Sequence, residues 1–168
     1  QVFTPFYRHS RELVGPILKP PAKTNFAALA PKRPQLSTDS LATWHLLPTR
    51  PDWASGFSEH FTPGEAGAQR ALKDALHEVV AEYAEQRDFP ALNGTSRLSA
   101  HLHFGEIRPR QVLQQAIGLL SDEVAAPFTR QLFWREFNYY LLHHYPHMRT
   151  SAFKEKFNQF PWRRNAGY

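Results

Sequence analysis

Apolar residues recur every three or four positions between residues 62 and 87, which is the spacing of a helix with one buried face. The positions are Ala68, Ala71, Leu72, Ala75, Leu76, Val79, Val80 and Tyr83. The preceding Thr62, Pro63 and Glu65 predict the helix start, with Thr62 as N-cap, Pro63 in the first helical position and Glu65 completing a capping box. Phe89-Pro90 predicts that the helix ends near Arg87.

The second half of the chain shows the same periodicity in longer runs. Arg108-Pro109 predicts the start of another helix, and Ser121-Asp122 predicts the cap of a helix over about 122–145. That last helix is apolar on almost every side, which predicts a central, buried position. Phe153 and Phe157 predict one more short helix.

The first 63 residues differ from the rest. Residues 1–14 predict a short helix or an extended arm, and the proline density of residues 15–63 excludes long helices and central strands there. We expect this connector to be held down by its large apolar side chains. They are Trp44, Leu46, Leu47, Trp53 and Phe57.

No stretch shows a β-pattern or an internal repeat. The sequence therefore predicts an all-α fold: a helical bundle over residues 62–168, preceded by an irregular, proline-rich connector over residues 1–61.

Composition narrows the function classes. The net charge is +5 with a pI near 9.7, which suits a nucleic acid or an anionic surface, and 14% of the residues are aromatic. There is no cysteine, so disulfides and thiolate metal sites are excluded. No apolar run approaches the roughly 18 residues of a membrane span, and we expect a cytoplasmic protein without a membrane partner. The chain begins at Gln1 without a methionine, so we expect a piece of a longer protein.

The stretch from Asn93 to Ser99 has the composition of an anion cradle. Asn-Gly turns the backbone, and Thr95 or Ser96 is predicted to cap a helix that opens with residues 97–99. Backbone N–H groups, hydroxyls and the Arg97 guanidinium would then converge on one phosphate. The plainer interpretation is a self-capped helix start that binds nothing.

A polar and aromatic stripe marks the long helix. Gln131, Trp134, Arg135 and Asn138 lie at helical spacing, so they share one face and could hold a nucleobase by stacking and by edge hydrogen bonds. The competing interpretation is ordinary core packing of Trp134. The histidines lack the spacing of a metal site, and no Ser-His-Asp order, phosphate-binding Walker loop or dinucleotide glycine motif is present.

Several motifs, in order and in register, resemble the DNA photolyase/cryptochrome family over essentially the whole chain. The matching stretches are Tyr83 with Arg87-Asp-Phe-Pro90, Gly94-Thr-Ser-Arg-Leu-Ser99, His101-Leu-His-Phe-Gly-Glu-Ile107, Trp134-Arg-Glu-Phe137 and Phe160-Pro-Trp-Arg163. The resemblance implies the end of the interdomain connector and the first half of the helical FAD-binding domain.

The resemblance also implies roles for individual residues. Tyr83, Phe128 and the segment Thr95, Ser96, Arg97, Leu98 and Ser99 would contact FAD, with the segment around its diphosphate. Arg87 would reach a DNA phosphate. Gln131, Trp134, Arg135 and Asn138 would line the cavity that receives a flipped pyrimidine dimer. No residue of this chain is assigned a catalytic role, and no metal is implied.

The implied activity is that of a deoxyribodipyrimidine photolyase, in which light-driven electron transfer from reduced FAD splits a cyclobutane pyrimidine dimer in DNA. Gln131 departs from the glutamate that bacterial photolyases of this type usually carry. An amide accepts and donates hydrogen bonds but supplies no charge, so a (6-4) photolyase or a cryptochrome photoreceptor stays an alternative. A helical DNA-binding piece without a flavin role is a third possibility.

We expect the family's antenna domain, with its chromophore, and its later flavin-contacting helices to lie outside this sequence. This piece alone is therefore expected to hold FAD weakly or not at all and not to repair DNA. We also expect the hydroxyl-rich bend and the tryptophan-bearing helix to form neighbouring hollows, one for the diphosphate and one for the stacked base. The oligomeric state is left open.

Overall fold

The computed structural model describes residues 2–15, 25 and 36–161, and every regular element among them is helical. This confirms the all-α class. The α-helices are α1 (Phe3–Val14), α2 (Phe57–His60), α3 (Glu65–Asp74), α4 (Tyr83–Gln86), α5 (Ser99–His103), α6 (Pro109–Leu119) and α7 (Asp122–His144). A π-helical turn at Ala75–Val79 and 3₁₀ turns at Leu41–Trp44, Val80–Glu82, Pro146–Arg149 and Glu155–Gln159 complete the set.

The chain divides into two compact units, each described by itself below. One unit comprises Gln1–Leu18 and Leu120–Tyr168, and the other comprises Lys19–Leu119. The boundary near residue 61, predicted from proline content, stays a prediction. No helix in the described ranges has both the length and the apolarity that a bilayer span requires.

In the first unit, α1 packs against α7. The Ser121 hydroxyl accepts a hydrogen bond from the Val124 N–H at 3.5 Å, and Asp122 lies in the first turn, where the helix dipole favours an acidic group. This confirms the predicted start of α7. The buried side chains of α7 are Ala125, Phe128, Thr129, Leu132, Phe133 and Phe137.

The prediction that α7 is buried on almost every side is wrong for its C-terminal half. Tyr139 and Leu142 are exposed, because the apolar residues there outnumber those that one neighbouring helix can cover. The short helix predicted near Phe153 and Phe157 is a 3₁₀ turn over Glu155–Gln159. Of the motif at Phe160–Arg163, Trp162 and Arg163 lie outside the described residues.

In the second unit, the helix predicted between residues 62 and 87 is present but interrupted. The chain passes from α3 through the π-turn and a 3₁₀ turn into α4, and it leaves the helix at Arg87 as predicted. The predicted cap at Thr62 is wrong. The N-cap is Gly64, with a φ of 93°, and the helix begins at Glu65.

The predicted cap at Thr95 or Ser96 is also wrong. The N-cap of α5 is Leu98, without a capping side chain, and the helix begins only at Ser99. Arg97 has a φ of 51°, so the chain makes a left-handed turn at the point where a helix was expected. The helix predicted from Arg108-Pro109 is confirmed as α6.

Residues 3–14 of the connector form the helix α1, whereas residues 36–61 contain only the short pieces Leu41–Trp44 and Phe57–His60, as the prolines predict. Its large apolar side chains do not hold it down, contrary to expectation: Trp44, Leu46, Leu47, Trp53 and Phe57 are all more than half exposed. Leu47 and Phe57 instead line one side of an open apolar groove of about 870 Å³, with Phe104 at the end of α5 on another side. The prolines restrict the backbone of this segment, but they do not bury its apolar side chains.

Candidate functional site

The polar and aromatic stripe of α7 lines one open groove. The groove has a volume of about 480 Å³, and its walls come from Gln131, Trp134, Arg135, Asn138, Tyr139 and Leu142. All six residues belong to one helix, at spacings of three and four that place them on one face. The competing interpretation, in which Trp134 is core, fails because 40% of the residue is exposed.

Some polar side chains of the groove already have partners within the described residues, and others do not. The Arg135 guanidinium lies 4.9 Å from the Tyr139 ring centre, donates to the Tyr139 hydroxyl at 3.3 Å and pairs with Glu136 at 3.0 Å. Gln131 and Asn138 make no hydrogen bond with any residue that the structure describes. Two amides therefore flank an exposed indole, an arrangement that can hold a flat ring and hydrogen-bond its edge.

Phe128 lies one turn before this groove and is 4% exposed. The flavin contact that the resemblance implies for Phe128 stays a prediction.

In the second unit, the turn that was predicted to cradle an anion is packed against the end of α4. Gly94 is buried, and a Cβ at this position would lie 2.7 Å from three atoms of Gln86. Only glycine allows this approach. The turn then passes through the left-handed Arg97 to Leu98, which is fully buried. The sequence Asn-Gly-Thr-Ser-Arg-Leu thus fixes the turn by one close contact and one buried side chain.

The turn forms one wall of a pocket of about 240 Å³. Asn93, Thr95, Ser96 and Arg97 line that wall, so three of the predicted phosphate ligands are brought together. Leu98 and Ser99 do not line it: Leu98 is core and Ser99 opens α5.

The opposite wall comes from the helix that begins at Glu65, and sequence reasoning missed it. Arg70, Asp74 and Glu78 project from this wall at i, i+4 and i+8. Their common spacing was visible in the sequence, but only the fold shows that they face the turn. The pocket thus combines two guanidinium groups, which can donate charge-assisted hydrogen bonds to an anion, with two carboxylates, which can only accept hydrogen bonds when ionised.

Tyr83 and Arg87 form a pair on α4 and its C-cap. The Arg87 guanidinium lies 5.8 Å from the Tyr83 ring centre and pairs with Asp88 at 3.6 Å. Burial raises the pKa of the Tyr83 hydroxyl, and the charge and hydrogen bond of Arg87 oppose this shift. Tyr83 therefore stays neutral throughout the physiological range, with its ring held in place by Arg87.

A buried histidine, His101, also lines the pocket formed by the turn at residues 93–97. His101 is 3% exposed, and its Nδ1 is 2.5 Å from a Glu106 carboxylate oxygen. The other Glu106 oxygen accepts a hydrogen bond from the Gly64 N–H at 2.8 Å. These bonds lower the pKa of Glu106 from its ordinary value, with the His101 bond as the larger cause. Glu106 thus ties the start of α3 to α5.

The chain was compared with family models, with curated proteins and with solved structures. No family model matches. The chain is 39% identical over 169 residues to a deoxyribodipyrimidine photo-lyase of Agrobacterium fabrum, covering 97% of this chain and 34% of the relative. It is 36% identical over 118 residues to the protein of that name from Synechococcus, covering 66% of this chain and 24% of the relative.

Among solved structures, the chain matches the crystal structure of a bacterial class III photolyase from Agrobacterium tumefaciens. The TM-score is 0.69 at 41% identity, and the match covers 78% of this chain and 28% of the other. The chain belongs to the DNA photolyase/cryptochrome family. This family member spans about a quarter to a third of the length of the curated relatives it matches.

Within this photolyase/cryptochrome chain, the predicted site residues fall into both units. The α7 groove lies in the unit that contains Leu120–Tyr168. The pocket beside the turn at residues 93–97 and the Tyr83–Arg87 pair lie in the unit Lys19–Leu119. The expectation that they form neighbouring hollows stays a prediction.

Proposed function

We propose that this chain is part of a deoxyribodipyrimidine photolyase, a light-driven, FAD-dependent enzyme that repairs cyclobutane pyrimidine dimers in DNA. The observation that carries the proposal is the α7 groove, in which an exposed indole lies between two amides that make no hydrogen bond within the described part of the chain. The relatives from Agrobacterium fabrum and Synechococcus, each named deoxyribodipyrimidine photo-lyase, support the same reaction.

In this proposal the groove receives the damaged bases after they leave the helix. Stacking of a base on Trp134 contributes about 1–3 kcal/mol, while Gln131 and Asn138 hydrogen-bond the pyrimidine edge. Extruding a base costs a few kcal/mol and less for a damaged, poorly stacked pair. Selectivity for damage then arises from this lower cost as well as from the contacts.

Arg87 is proposed to contact a DNA phosphate. Its pairing with Asp88 is long, at 3.6 Å, and the Asp88 side chain is 76% exposed. Such an exposed pair contributes little energy, so a phosphate can replace the carboxylate at low cost. The net charge of +5 adds a general attraction to DNA.

The pocket beside the turn fits the diphosphate part of FAD. Arg97, Arg70 and the hydroxyls of Thr95 and Ser96 supply the donors that phosphate oxygens need. Its volume of about 240 Å³ is smaller than a site for a complete drug-sized ligand, so this pocket suits a group of phosphate size and not a whole dinucleotide. Asp74 and Glu78 can accept hydrogen bonds from sugar hydroxyls on the helix wall.

The remaining contacts proposed for FAD are apolar or indirect. The ring of Tyr83 and the side chain of Phe128 would lie against the cofactor, while Leu98 and Ser99 fix the turn in the core and at the start of α5. When bound, the reduced flavin supplies the electron that opens the cyclobutane ring and recovers it afterwards.

The test compares binding of ultraviolet-irradiated and intact oligonucleotides by the complete gene product at several salt concentrations. The proposal predicts tighter binding to irradiated DNA, with a salt slope of roughly −0.9 per phosphate contact. Equal binding to both oligonucleotides would contradict it. Oligonucleotides that carry one defined cyclobutane or (6-4) lesion then identify the lesion that the Gln131 amide accepts, and binding to neither would indicate a photoreceptor.

A further inference from the structure

The Phe3 ring lies flat on the Trp134 indole. The two ring centres are 3.6 Å apart and the planes differ by only 7°. Both residues belong to the same compact unit, in which α1 packs on α7. One face of the indole is therefore covered by a residue of α1.

Phe3 is itself fixed on several sides. It is 5% exposed, and it contacts Tyr7 at 5.6 Å and the edge of Phe137 at 5.7 Å between ring centres. The Arg130 guanidinium lies 5.7 Å from its ring centre. Phe3 cannot turn away from the indole without breaking these contacts.

The indole is thus held while part of it faces the groove. Trp134 remains 40% exposed, and the groove that it lines also contains Gln131 and Asn138. An exposed tryptophan on a helix would otherwise sample several rotamers, and ordering it on binding would cost about 0.5–1.5 kcal/mol. Packing against Phe3 removes that cost before the ligand arrives.

We propose that Phe3 is a positioning residue for the groove. It holds the Trp134 indole by its covered face, so that the other face is presented to a single flat ring, one base of the extruded pyrimidine dimer. This inference rests on the proposed function. It brings α1, which the sequence analysis assigned to the connector, into the recognition of damaged DNA.

Three variants of the complete gene product separate this role from simple packing. Phe3→Leu keeps an apolar side chain but removes the flat face, and Phe3→Tyr keeps the face. Phe6→Leu is the matched control, because Phe6 packs in the same α1–α7 contact against Phe137 and Tyr140, at 5.2 Å and 5.5 Å between ring centres, and among the described residues makes no ring contact with Phe3 or Trp134. Affinity is measured for irradiated and intact oligonucleotides, and Trp134 is observed in the unliganded protein by fluorine NMR with 5-fluorotryptophan, assigned through Trp134→Phe.

Aromatic pairing energies predict about a two- to tenfold loss of affinity for irradiated DNA in Phe3→Leu. The Trp134 resonance should shift and broaden in the same variant. Phe3→Tyr and Phe6→Leu should stay within about twofold of the wild type by the same measure. Far-UV circular dichroism checks the helices, and Phe3→Met replaces Phe3→Leu if that variant loses helix.

The results distinguish the two proposals. Wild-type preference for irradiated DNA that is unchanged in Phe3→Leu would overturn the role of Phe3 and leave the proposed function standing. An equal loss in Phe3→Leu and Phe6→Leu would also overturn it, because general packing of α1 on α7 would then explain the effect. Absence of any preference in the wild type would refute the proposed function and with it this inference.

Discussion

Gly94 determines how closely the turn at residues 93–99 approaches α4. A methyl group here would lie 2.7 Å from the carbonyl carbon, the carbonyl oxygen and the Cβ of Gln86. Two of these are backbone atoms, so a flexible side chain cannot simply move aside. The turn reaches its position because the residue has no side chain.

We expect Gly94→Ala to destabilise the protein by about 1–3 kcal/mol, as overpacking of a dense site does. Gly118→Ala is the matched control, because a Cβ there meets nothing within 4 Å, and alanine should stabilise helix α6 by up to about 1 kcal/mol. Urea denaturation of both variants measures the difference. Equal stability of the two variants would show that the turn is not packed against Gln86.

Arg97 has a strained backbone and is also proposed to bind phosphate. Its φ of 51° is unfavourable for any residue with a side chain. Arg97→Gly should therefore leave the free energy of unfolding within about 1 kcal/mol of the wild type. The same variant should bind pyrophosphate about 10- to 100-fold more weakly, because a charge-assisted hydrogen bond is lost.

Isothermal titration of the complete gene product with pyrophosphate tests the ligand part of this prediction, and Arg110→Gly controls for the loss of one positive charge outside the pocket. Weakening by Arg110→Gly as large as that by Arg97→Gly would show that net charge, rather than the turn, attracts the anion.

At the scale of elements, Glu106 connects two helices that are far apart in sequence. Its carboxylate accepts from the Gly64 N–H and pairs with His101 on α5. Because the pKa of Glu106 is lowered in the folded protein, its ionised form stabilises the fold above the ordinary pKa of 4.5. That contribution is lost as the pH falls through the lower, folded pKa.

Glu106→Gln should therefore reduce stability at pH values above about 4.5 and make the acid side of the stability profile less steep. Urea denaturation of wild type and variant between neutral and acidic pH measures this. A variant whose acid profile matches that of the wild type would contradict the role given to Glu106. Glu85→Gln, on α4 and exposed, is the control for loss of a carboxylate.

The elements also show which parts of this fold a sequence pattern can predict. The start of α7 followed from Ser121, and its length followed from an unbroken apolar pattern. The interruption after Asp74 was not predictable, because Leu76, Val79 and Val80 continue the apolar spacing of an α-helix although the turn is π-helical. The caps at Thr62 and Thr95 failed because Gly64 and Arg97 adopt positive φ angles, and nothing in residue type predicts that for an arginine.

The candidate site divides in the same way. The stripe of α7 could be predicted because its residues lie within one helix, where spacing fixes the shared face. Arg70 and Phe3 could not, because their roles depend on contacts between distant segments. Trp44 and Trp53 were expected to be buried and are exposed. An aromatic side chain becomes buried only where a neighbouring surface covers it.

For the molecule as a whole, the proposed function draws on two features that lie in separate compact units, a groove proposed to bind a base and a pocket proposed to bind a phosphate. One polypeptide would then use both. We propose that the α7 groove receives the damaged bases, with Trp134 as the stacking surface.

Light-dependent repair by the complete gene product tests that claim most directly. Wild type, Trp134→Ala and the control Trp53→Ala, which removes an exposed tryptophan of the connector, are each mixed with a dimer-containing oligonucleotide at sub-saturating concentration and illuminated with blue light. The account predicts dimer reversal by wild type and Trp53→Ala, and a loss of about 5- to 150-fold in Trp134→Ala, the equivalent of one stacked base. Equal repair by Trp134→Ala and Trp53→Ala, or no repair by a wild type that contains flavin, would contradict it.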